Sequence, residues 1–352
     1  MKSPRPRTRR APSAIALAAA VCCACGAQPA ADAPAPGPPP DGTASSAQPA
    51  GRSASAAPDA AAVGANELGQ VPVLMYHRFV AEPTSVYDRT PDAFRAELER
   101  LANEGYVPVT ATEYATGRID IPAGRHPVVL TFDDGDPTQL TLGPDGRPAA
   151  GSAIAILLDV ASRHPGFRPV ASVYVNAAPF GTSDGAGVLP WLRDNGFEVG
   201  NHTRQHTNLS AAGDTEVQQA IAAGQREIQA ALPGYAVQSL ALPFGARPTD
   251  GSLALRGAAD GTSYEHTCVL LVGAGPAPSP YAADFDPASV PRIRSQDASG
   301  DEAKYGSTTW LDHLAANPAT RYTSDGVADR IAYPSGGGVQ PAQRFADRVF
   351  AY

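Results

Sequence analysis

The sequence predicts an α/β fold in which strands and helices alternate along the chain. Short apolar runs typical of buried strands are separated by stretches whose apolar residues recur with the period of a helix. The polar residues that look most reactive come directly after these runs. They should therefore lie at the carboxyl ends of the strands, where α/β proteins build their active sites. The chain has 352 residues, which is long enough for one large domain with a full core.

A strand and then a helix open the predicted domain. Residues 71–76 form an apolar run that ends at His77, and Thr90 followed by Pro91 supplies the N-cap and first position of a helix. Residues 136–150 are predicted to be an irregular insertion, because they are rich in turn-forming residues. Further strands are predicted at residues 107–109, 127–130, 170–175, 197–199, 239–242 and 267–272, and further helices at 152–162, 189–195 and 214–232.

Two adjacent carboxylates, Asp133 and Asp134, follow the strand predicted at residues 127–130. Carboxylates at the end of a buried strand are costly unless a metal ion or a shared proton compensates their charge. Further along the chain, His202 and His206 also follow an apolar run. One carboxylate and two imidazoles make a three-ligand metal site with open positions for water. The second carboxylate is then free to act as a base.

The sequence pattern of the N-terminal segment predicts that the protein is exported. Basic residues are followed by an apolar stretch over residues 11–21 and then by a group of cysteines. This pattern is typical of a secretory signal peptide, here residues 1–25, and is too short to span a membrane. A cysteine just after a short apolar segment also predicts a bacterial lipoprotein with Cys25 as the lipidated residue, and Cys22 is the alternative. The expected location is the periplasm, the outer membrane or the cell surface, with plain secretion as the alternative.

Residues 26–66 consist mostly of Ala, Pro, Ser and Gly and are predicted to form a disordered linker. Residues 67–352 are then the folded domain, and Cys268 is its single cysteine, which excludes an intradomain disulfide. Without residues 1–24 the chain loses five of its 27 basic residues and none of its 35 acidic ones, which leaves a net charge of −13. This charge argues against nucleic acid or an anionic polymer as the main partner.

Three motifs, in this order, resemble the polysaccharide deacetylase family, also called the NodB homology domain. They are residues 131–135 (Thr-Phe-Asp-Asp-Gly), residues 201–206 with their two histidines, and residues 242–245 (Leu-Pro-Phe-Gly). Residues 71–109 resemble more narrowly a subgroup that includes secreted or lipid-anchored deacetylases of poly-β-1,6-N-acetylglucosamine. The resemblance implies a single deformed (β/α) barrel of about seven strands. It also implies hydrolysis of N-acetyl groups from amino-sugar polymers with one divalent metal.

The resemblance also implies a role for each matching residue. Asp134, His202 and His206 match the metal ligands, and Asp133 matches the catalytic base. The backbone N–H of Phe244, which follows the proline of the third motif, matches the group that binds the oxyanion. Zinc suits a site of two histidines and one aspartate, and cobalt and nickel are also chemically acceptable.

One position departs from the family pattern. Many family members carry an arginine paired with the catalytic aspartate where this chain has Ala241. Arg292 resembles an arginine of the subgroup and Arg247 is nearer in sequence, so either is a candidate replacement. Without a replacing cation, the pKa of Asp133 is expected to rise.

The predicted function is metal-dependent removal of N-acetyl groups from an amino-sugar polymer at the cell envelope. The leaving amine needs a general acid, for which the resemblance implies His77, and His266 is the alternative. The predicted partner is an N-acetylated glycan, with membrane contact only through the lipid anchor, and oligomeric state is left open. Alternative functions are an O-acetyl xylan esterase, a small-ring amidase, or a non-catalytic glycan-binding module, which the missing arginine favours.

Overall fold

The structure is a computed structural model that describes residues 59–273, 275–300 and 302–352. Its helices are α1 (Pro91–Asn103), α2 (Ala111–Thr116), α3 (Ala153–Arg163), α4 (Leu189–Asp194), α5 (Asp214–Ala231), α6 (Ser252–Leu255) and α7 (Ser307–Ala316). Its strands are β1 (Val73–Tyr76), β2 (Arg78–Phe79), β3 (Asp88–Arg89), β4 (Tyr106–Val109), β5 (His126–Phe132), β6 (Ser172–Val175), β7 (Glu198–Asn201), β8 (Ser239–Ala241), β9 (Arg256–Ala259), β10 (Thr262–Glu265), β11 (Cys268–Leu270), β12 (Ile293–Arg294), β13 (Ile331–Tyr333) and β14 (Val349–Ala351).

The largest sheet is parallel and curls into a barrel. Its strand order is β11-β8-β7-β6-β5-β1-β12, and β4 is an eighth strand that pairs with the first half of β5. Backbone hydrogen bonds join Leu271 to Val290 and Gly273 to Arg292, so the end of β11 meets the segment that leads into β12. The predicted α/β class and deformed barrel are therefore confirmed. Because the strands are parallel, their carboxyl ends gather at one end of the barrel.

Helix α1 begins where the sequence predicts. The side chain of Thr90 accepts a backbone hydrogen bond from the first turn, and Pro91 occupies the first helical position. Phe94, Leu98 and Leu101 are buried in the main hydrophobic core, so the apolar face of the helix packs toward the sheet. The chain between β1 and α1 is thereby fixed at both ends, which matters because it follows His77.

The long predicted elements lie within a few residues of their observed bounds, and residues 136–150 form neither a helix nor a regular strand. Several short elements escaped prediction: α2, the β9–β10 hairpin, and β12 to β14. They contain between two and six residues each. Segments of that length are too short to show a hydrophobic period.

Residues 59–66 differ from the predicted linker over residues 26–66, because they pack on the domain. Ala60 and Ala65 are buried, and together with Ala332 they form a small hydrophobic cluster. Alanine lets two backbones approach closely, so a segment without large apolar side chains still buries surface here. The folded part of the chain therefore includes residues 59–66.

The predicted signal peptide over residues 1–25, its candidate lipidation sites Cys25 and Cys22, and linker residues 26–58 lie outside the described residues. Within the described ranges, none of the helices combines the length and the apolar character needed to cross a bilayer.

Candidate active site

The loops after β1, β5, β7 and β8 converge on one cavity of about 260 Å³. Six of the predicted site residues line it: His77, Asp133, Asp134, His202, His206 and Phe244. The rest of the lining comes from Arg78, Ser85, Tyr87, Asp88 and Val272. Sequence patterns at the ends of four separate strands thus meet in one place, as the parallel arrangement of the strands requires.

The three predicted metal ligands, which we call the metal triad, are Asp134, His202 and His206. Asp134 Oδ1 lies 3.4 Å from His202 Nε2 and 3.5 Å from His206 Nε2. Each residue offers one ligand atom, and these atoms all lie within 4.8 Å of one another. Two imidazole nitrogens and one carboxylate oxygen suit Zn²⁺ and other divalent transition metals.

The hydrogen bonding of His202 favours a positive charge within the triad. Its Nδ1 lies 2.8 Å from the carbonyl oxygen of Ala241, which only accepts, so Nδ1 is the protonated nitrogen. Its Nε2 is buried, has no hydrogen-bond partner among the described residues, and faces the carboxylates of Asp134 and Asp133. Burial opposes protonation of His202, but these carboxylates outweigh burial and raise its pKa. The residues present therefore fit a divalent cation, which would compensate the lone pair and both carboxylates together.

Arg292 pairs with Asp133 and supplies the cation that Ala241 does not. Its Nη1 and Nη2 donate to the two carboxylate oxygens, each at 2.7 Å, and its Nε donates to the carbonyl of Leu271 at 2.7 Å. Arg292 is 0% exposed and Asp133 is 2% exposed. Burial alone would raise the pKa of Asp133, but the guanidinium and the nearby imidazoles outweigh it and hold the pKa well below its usual range. The other candidate, Arg247, is exposed on the surface.

His77, the predicted general acid, lies beside the predicted base. Its Nε2 is 3.9 Å from Asp133 Oδ2, and its ring contacts that of Tyr87 with centroids 4.9 Å apart. Burial lowers the pKa of His77, and the neighbouring carboxylates offset this only in part. The alternative, His266, precedes β11 and so lies at the amino end of the barrel, where its Nδ1 bonds the carbonyl of Ala254 at 2.8 Å. Of these two histidines, His77 is the one that lines the cavity.

Backbone strain is concentrated at the site. Asp134, Thr203, His206 and Phe244 have φ angles of 74°, 56°, 51° and 59°, in the left-handed region that residues other than glycine rarely adopt. Each such residue costs on the order of 1–3 kcal/mol, so it persists only where its surroundings hold it. The turn at Phe244 leaves its side chain 64% exposed, with its ring 4.4 Å from that of His206 between centroids. Phe244 therefore lies at the mouth of the cavity, beside the metal triad.

Two further residues of the site were missed by sequence reasoning. Tyr87, in the segment before α1, contacts the ring of His77 and the guanidinium of Arg294, which is 5.5 Å from the tyrosine centroid. Asn176 directly follows β6, and its Nδ2 donates to Asp134 Oδ1 at 3.4 Å. The place of Asn176 after a predicted strand was a usable signal. Tyr87 lies in a segment with no periodic pattern, so it carried none.

Comparison with known proteins agrees with this geometry. Residues 171–258 match the polysaccharide deacetylase family. Over these residues the chain is similar to polysaccharide deacetylases. The matched region begins just before β6 and ends within β9, so it contains His202, His206 and Phe244. The rest of the site, including Asp133 and Arg292, lies outside the matched region.

Individual relatives resemble this chain over part of its length. The chitooligosaccharide deacetylase of Sinorhizobium fredii is 31% identical over 122 residues, which cover 35% of this chain and 48% of that protein. This chain thus spans about half the length of that relative. A Bacillus anthracis structure assigned as a polysaccharide deacetylase has a TM-score of 0.50 at 17% identity, with 69% of each chain covered, and shows the shared fold. IcaB from Ammonifex degensii has a TM-score of 0.46 at 19% identity, over 70% of this chain and 96% of that one.

Proposed function

We propose that this protein is a metal-dependent hydrolase that removes N-acetyl groups from an amino-sugar polymer. One observation carries the proposal: a carboxylate held by a buried arginine lies beside a separate Asp-His-His triad in one open cavity. A glycan-binding module has no need of two carboxylates in such different settings. The absence of an arginine at Ala241 favoured that non-catalytic alternative, and Arg292 supplies the charge instead.

A divalent metal held by the metal triad, most simply Zn²⁺, would polarise the acetyl carbonyl and acidify water. The remaining chemistry is assigned to this chain's own groups. Asp133, which the guanidinium of Arg292 holds in its ionised form, accepts the proton of the attacking water. His77 donates a proton to the leaving amine. The backbone N–H of Phe244 is assigned to the oxyanion that forms on the acetyl carbon.

Acetate release by residues 59–352 tests this proposal. N-acetylglucosamine oligomers and acetylated xylan are compared, each with and without a chelator and added Zn²⁺. We expect acetate from the amino-sugar oligomers alone, lost with the chelator and restored by the metal. Acetate from xylan alone would assign an O-acetyl esterase. No acetate from either substrate, with metal bound, would favour a small-ring amidase or a glycan-binding module.

We also propose that the domain is exported and held at the cell envelope by a lipid on Cys25. The support is the N-terminal order of basic residues, an apolar stretch and small residues before that cysteine. Cell fractionation of the full-length chain and of Cys25→Ser provides the test. We expect the wild type in the membrane fraction and the variant in the soluble exported fraction. A soluble wild type would indicate plain secretion, and a membrane-bound variant would move the anchor to Cys22.

A further inference from the structure

Gln139 joins the two loops that carry the predicted acid and base. It belongs to the insertion of residues 136–150, which contributes nothing to the lining of the site cavity, and it is 1% exposed. Its Nε2 donates to the backbone carbonyl of His77 at 2.7 Å and to that of Asp133 at 2.5 Å. One side-chain amide, which we call the carboxamide bridge, therefore connects the end of β1 to the end of β5.

Simple chemistry fixes the orientation of the carboxamide bridge. An amide nitrogen carries two hydrogens, and both point to carbonyl oxygens, which only accept. The Oε1 atom of Gln139 is left buried, without a partner among the described residues. A buried unpaired acceptor is destabilising. Stability alone therefore does not explain this side chain. Its role must lie in the two backbone carbonyl groups that it binds.

A second contact ties the same two loops together. Thr138 Oγ1 accepts from the backbone N–H of Phe79 at 2.9 Å and donates to Asp136 Oδ1 at 2.6 Å. The backbone N–H of Gln139 also donates to the carbonyl of Asp136 at 2.9 Å, which closes the turn that presents both side chains. Two consecutive side chains of the insertion thus bind backbone groups on either side of Arg78. The chain after β1 is held by the insertion at two points.

Asp133 has other support, whereas His77 has little. The backbone N–H of Asp133 donates to the carbonyl of Tyr76 at 3.0 Å, and Arg292 holds its carboxylate at both oxygens. The Nδ1 of His77 is buried without a partner among the described residues, and its ring contacts that of Tyr87. Loss of the carboxamide bridge should therefore displace His77 more than Asp133.

We propose that Gln139 is a positioning residue that fixes the imidazole of His77 relative to the carboxylate of Asp133. The inference rests on the proposed function, because it ties the carboxamide bridge to the general-acid step. Proton transfer requires the acid within hydrogen-bond reach of the leaving amine. Displacement of a reacting group by about 1 Å is enough to lower a rate about 100-fold.

Substrates with different leaving groups test the proposal. An N-acetylglucosamine oligomer releases an amine that must be protonated, whereas an aryl acetate releases a phenolate that needs no proton. Gln139→Met keeps the length of the side chain and removes both donors. Thr141→Val is the control, because Thr141 lies in the same insertion and donates to the carbonyl of Pro137 at 2.9 Å. We expect Gln139→Met to lose about 100-fold in kcat on the oligomer with KM unchanged, and less than about threefold on the ester. Thr141→Val should change neither.

Equal losses on both substrates, or no loss on the oligomer, would overturn the proposal. Thermal unfolding and zinc content establish that each variant is folded and binds metal. If Gln139→Met does not fold, Gln139→Glu replaces it, because glutamate has the same shape as glutamine and at most one donor hydrogen. A wild type that releases no acetate from the oligomer overturns the proposed function instead. The crystal structure of the variant then decides the positioning role: the His77 Nε2 to Asp133 Oδ2 distance of 3.9 Å should lengthen, and an unchanged distance refutes it.

Discussion

The two ends of the barrel stabilise a buried carboxylate in different ways. At the amino end of β7, Glu198 is 8% exposed and accepts four hydrogen bonds of 2.6 to 3.0 Å. The donors are the backbone N–H and hydroxyl of Thr112 and the hydroxyls of Ser172 and Ser239. Every one of them is neutral, and together they saturate the carboxylate.

Asp133, at the carboxyl end of β5, is paired with a cation and with incompletely bonded histidines. Arg292 holds both of its oxygens, and the Nε2 atoms of His77 and His202 lie 3.9 Å and 4.0 Å from Oδ2. Each of these histidines keeps one ring nitrogen buried without a partner among the described residues. Burial of an acid does not by itself identify an active site. Incomplete pairing beside a cavity is the more informative sign.

The largest difference should appear between variants that each remove one histidine, at opposite ends of the barrel. We expect His202→Ala to lose bound metal and all acetate release, because a triad reduced to two ligands holds a divalent ion poorly. His266→Asn is the control, since His266 is equally buried but lies away from the cavity. Metal content after dialysis is the measurement. Retention of metal by His202→Ala, or loss of metal from His266→Asn, would contradict the placement of the metal site at the carboxyl end of the barrel.

The next effect compares two buried aspartates that each pair with an arginine, one inside the cavity and one outside it. Asp133→Asn should keep its metal and lose about 1000-fold in kcat, because an amide cannot accept the water's proton. The matched control is Asp325→Asn, which removes a buried charge paired with Arg330 outside the cavity. Turnover per folded molecule should be unchanged in the control. If Asp133→Asn kept more than a few per cent of the wild-type rate, the base would have to be another group.

Glu198 should affect stability without affecting chemistry. Glu198→Ala leaves the backbone N–H of Thr112 and three hydroxyls without their acceptor, so the free energy of unfolding should fall by about 3 kcal/mol. Denaturant unfolding measures this loss, and acetate release at a temperature where the variant is folded should match the wild type. A large fall in kcat with unchanged stability would mean that the amino end of the barrel also takes part in the reaction.

The smallest effect is a pH dependence of stability that comes from the amino end. Burial lowers the pKa of His266 to about 4, below its ordinary value of 6.5. The unfolded chain therefore binds the proton first, so the stability contribution is complete above pH 6.5 and is lost as the pH falls through about 4. At most roughly 3 kcal/mol is involved. The unfolding free energy of His266→Asn should fall less steeply over this range than that of the wild type, and parallel curves would contradict the assignment.

Most of the site could be predicted because its groups follow strands directly. Asp133, Asp134 and His202 each come after an apolar run, and a parallel sheet brings such positions together whatever their separation along the chain. The direction of the chain also distinguishes His77, which follows its strand, from His266, which precedes one. That signal was present in the sequence, and it separates the two candidates for the general acid.

The rest depends on contacts between distant segments that no local pattern records. Gln139 binds backbone carbonyl groups, which every residue has. The side chains of the loops that it binds therefore give no indication of the contact. Arg292 was suggested only by the family resemblance. The strand that follows it, β12, has two residues, which is too few to show a hydrophobic pattern. Burial of Ala60 and Ala65 requires Ala332 to lie opposite them, which composition alone does not indicate.

The left-handed backbone at Thr203 has a consequence for laboratory evolution. A β-branched residue is poorly suited to a φ of 56°, whereas glycine or asparagine adopts that conformation readily. We expect a library selected for heat resistance alone to enrich both replacements, which sequencing of the survivors would measure. Under selection for acetate release threonine should persist, because its Oγ1 accepts the backbone N–H of Thr207 at 2.9 Å, next to His206. Selection for stability and selection for turnover would then favour different residues at position 203, between the two histidines of the metal triad.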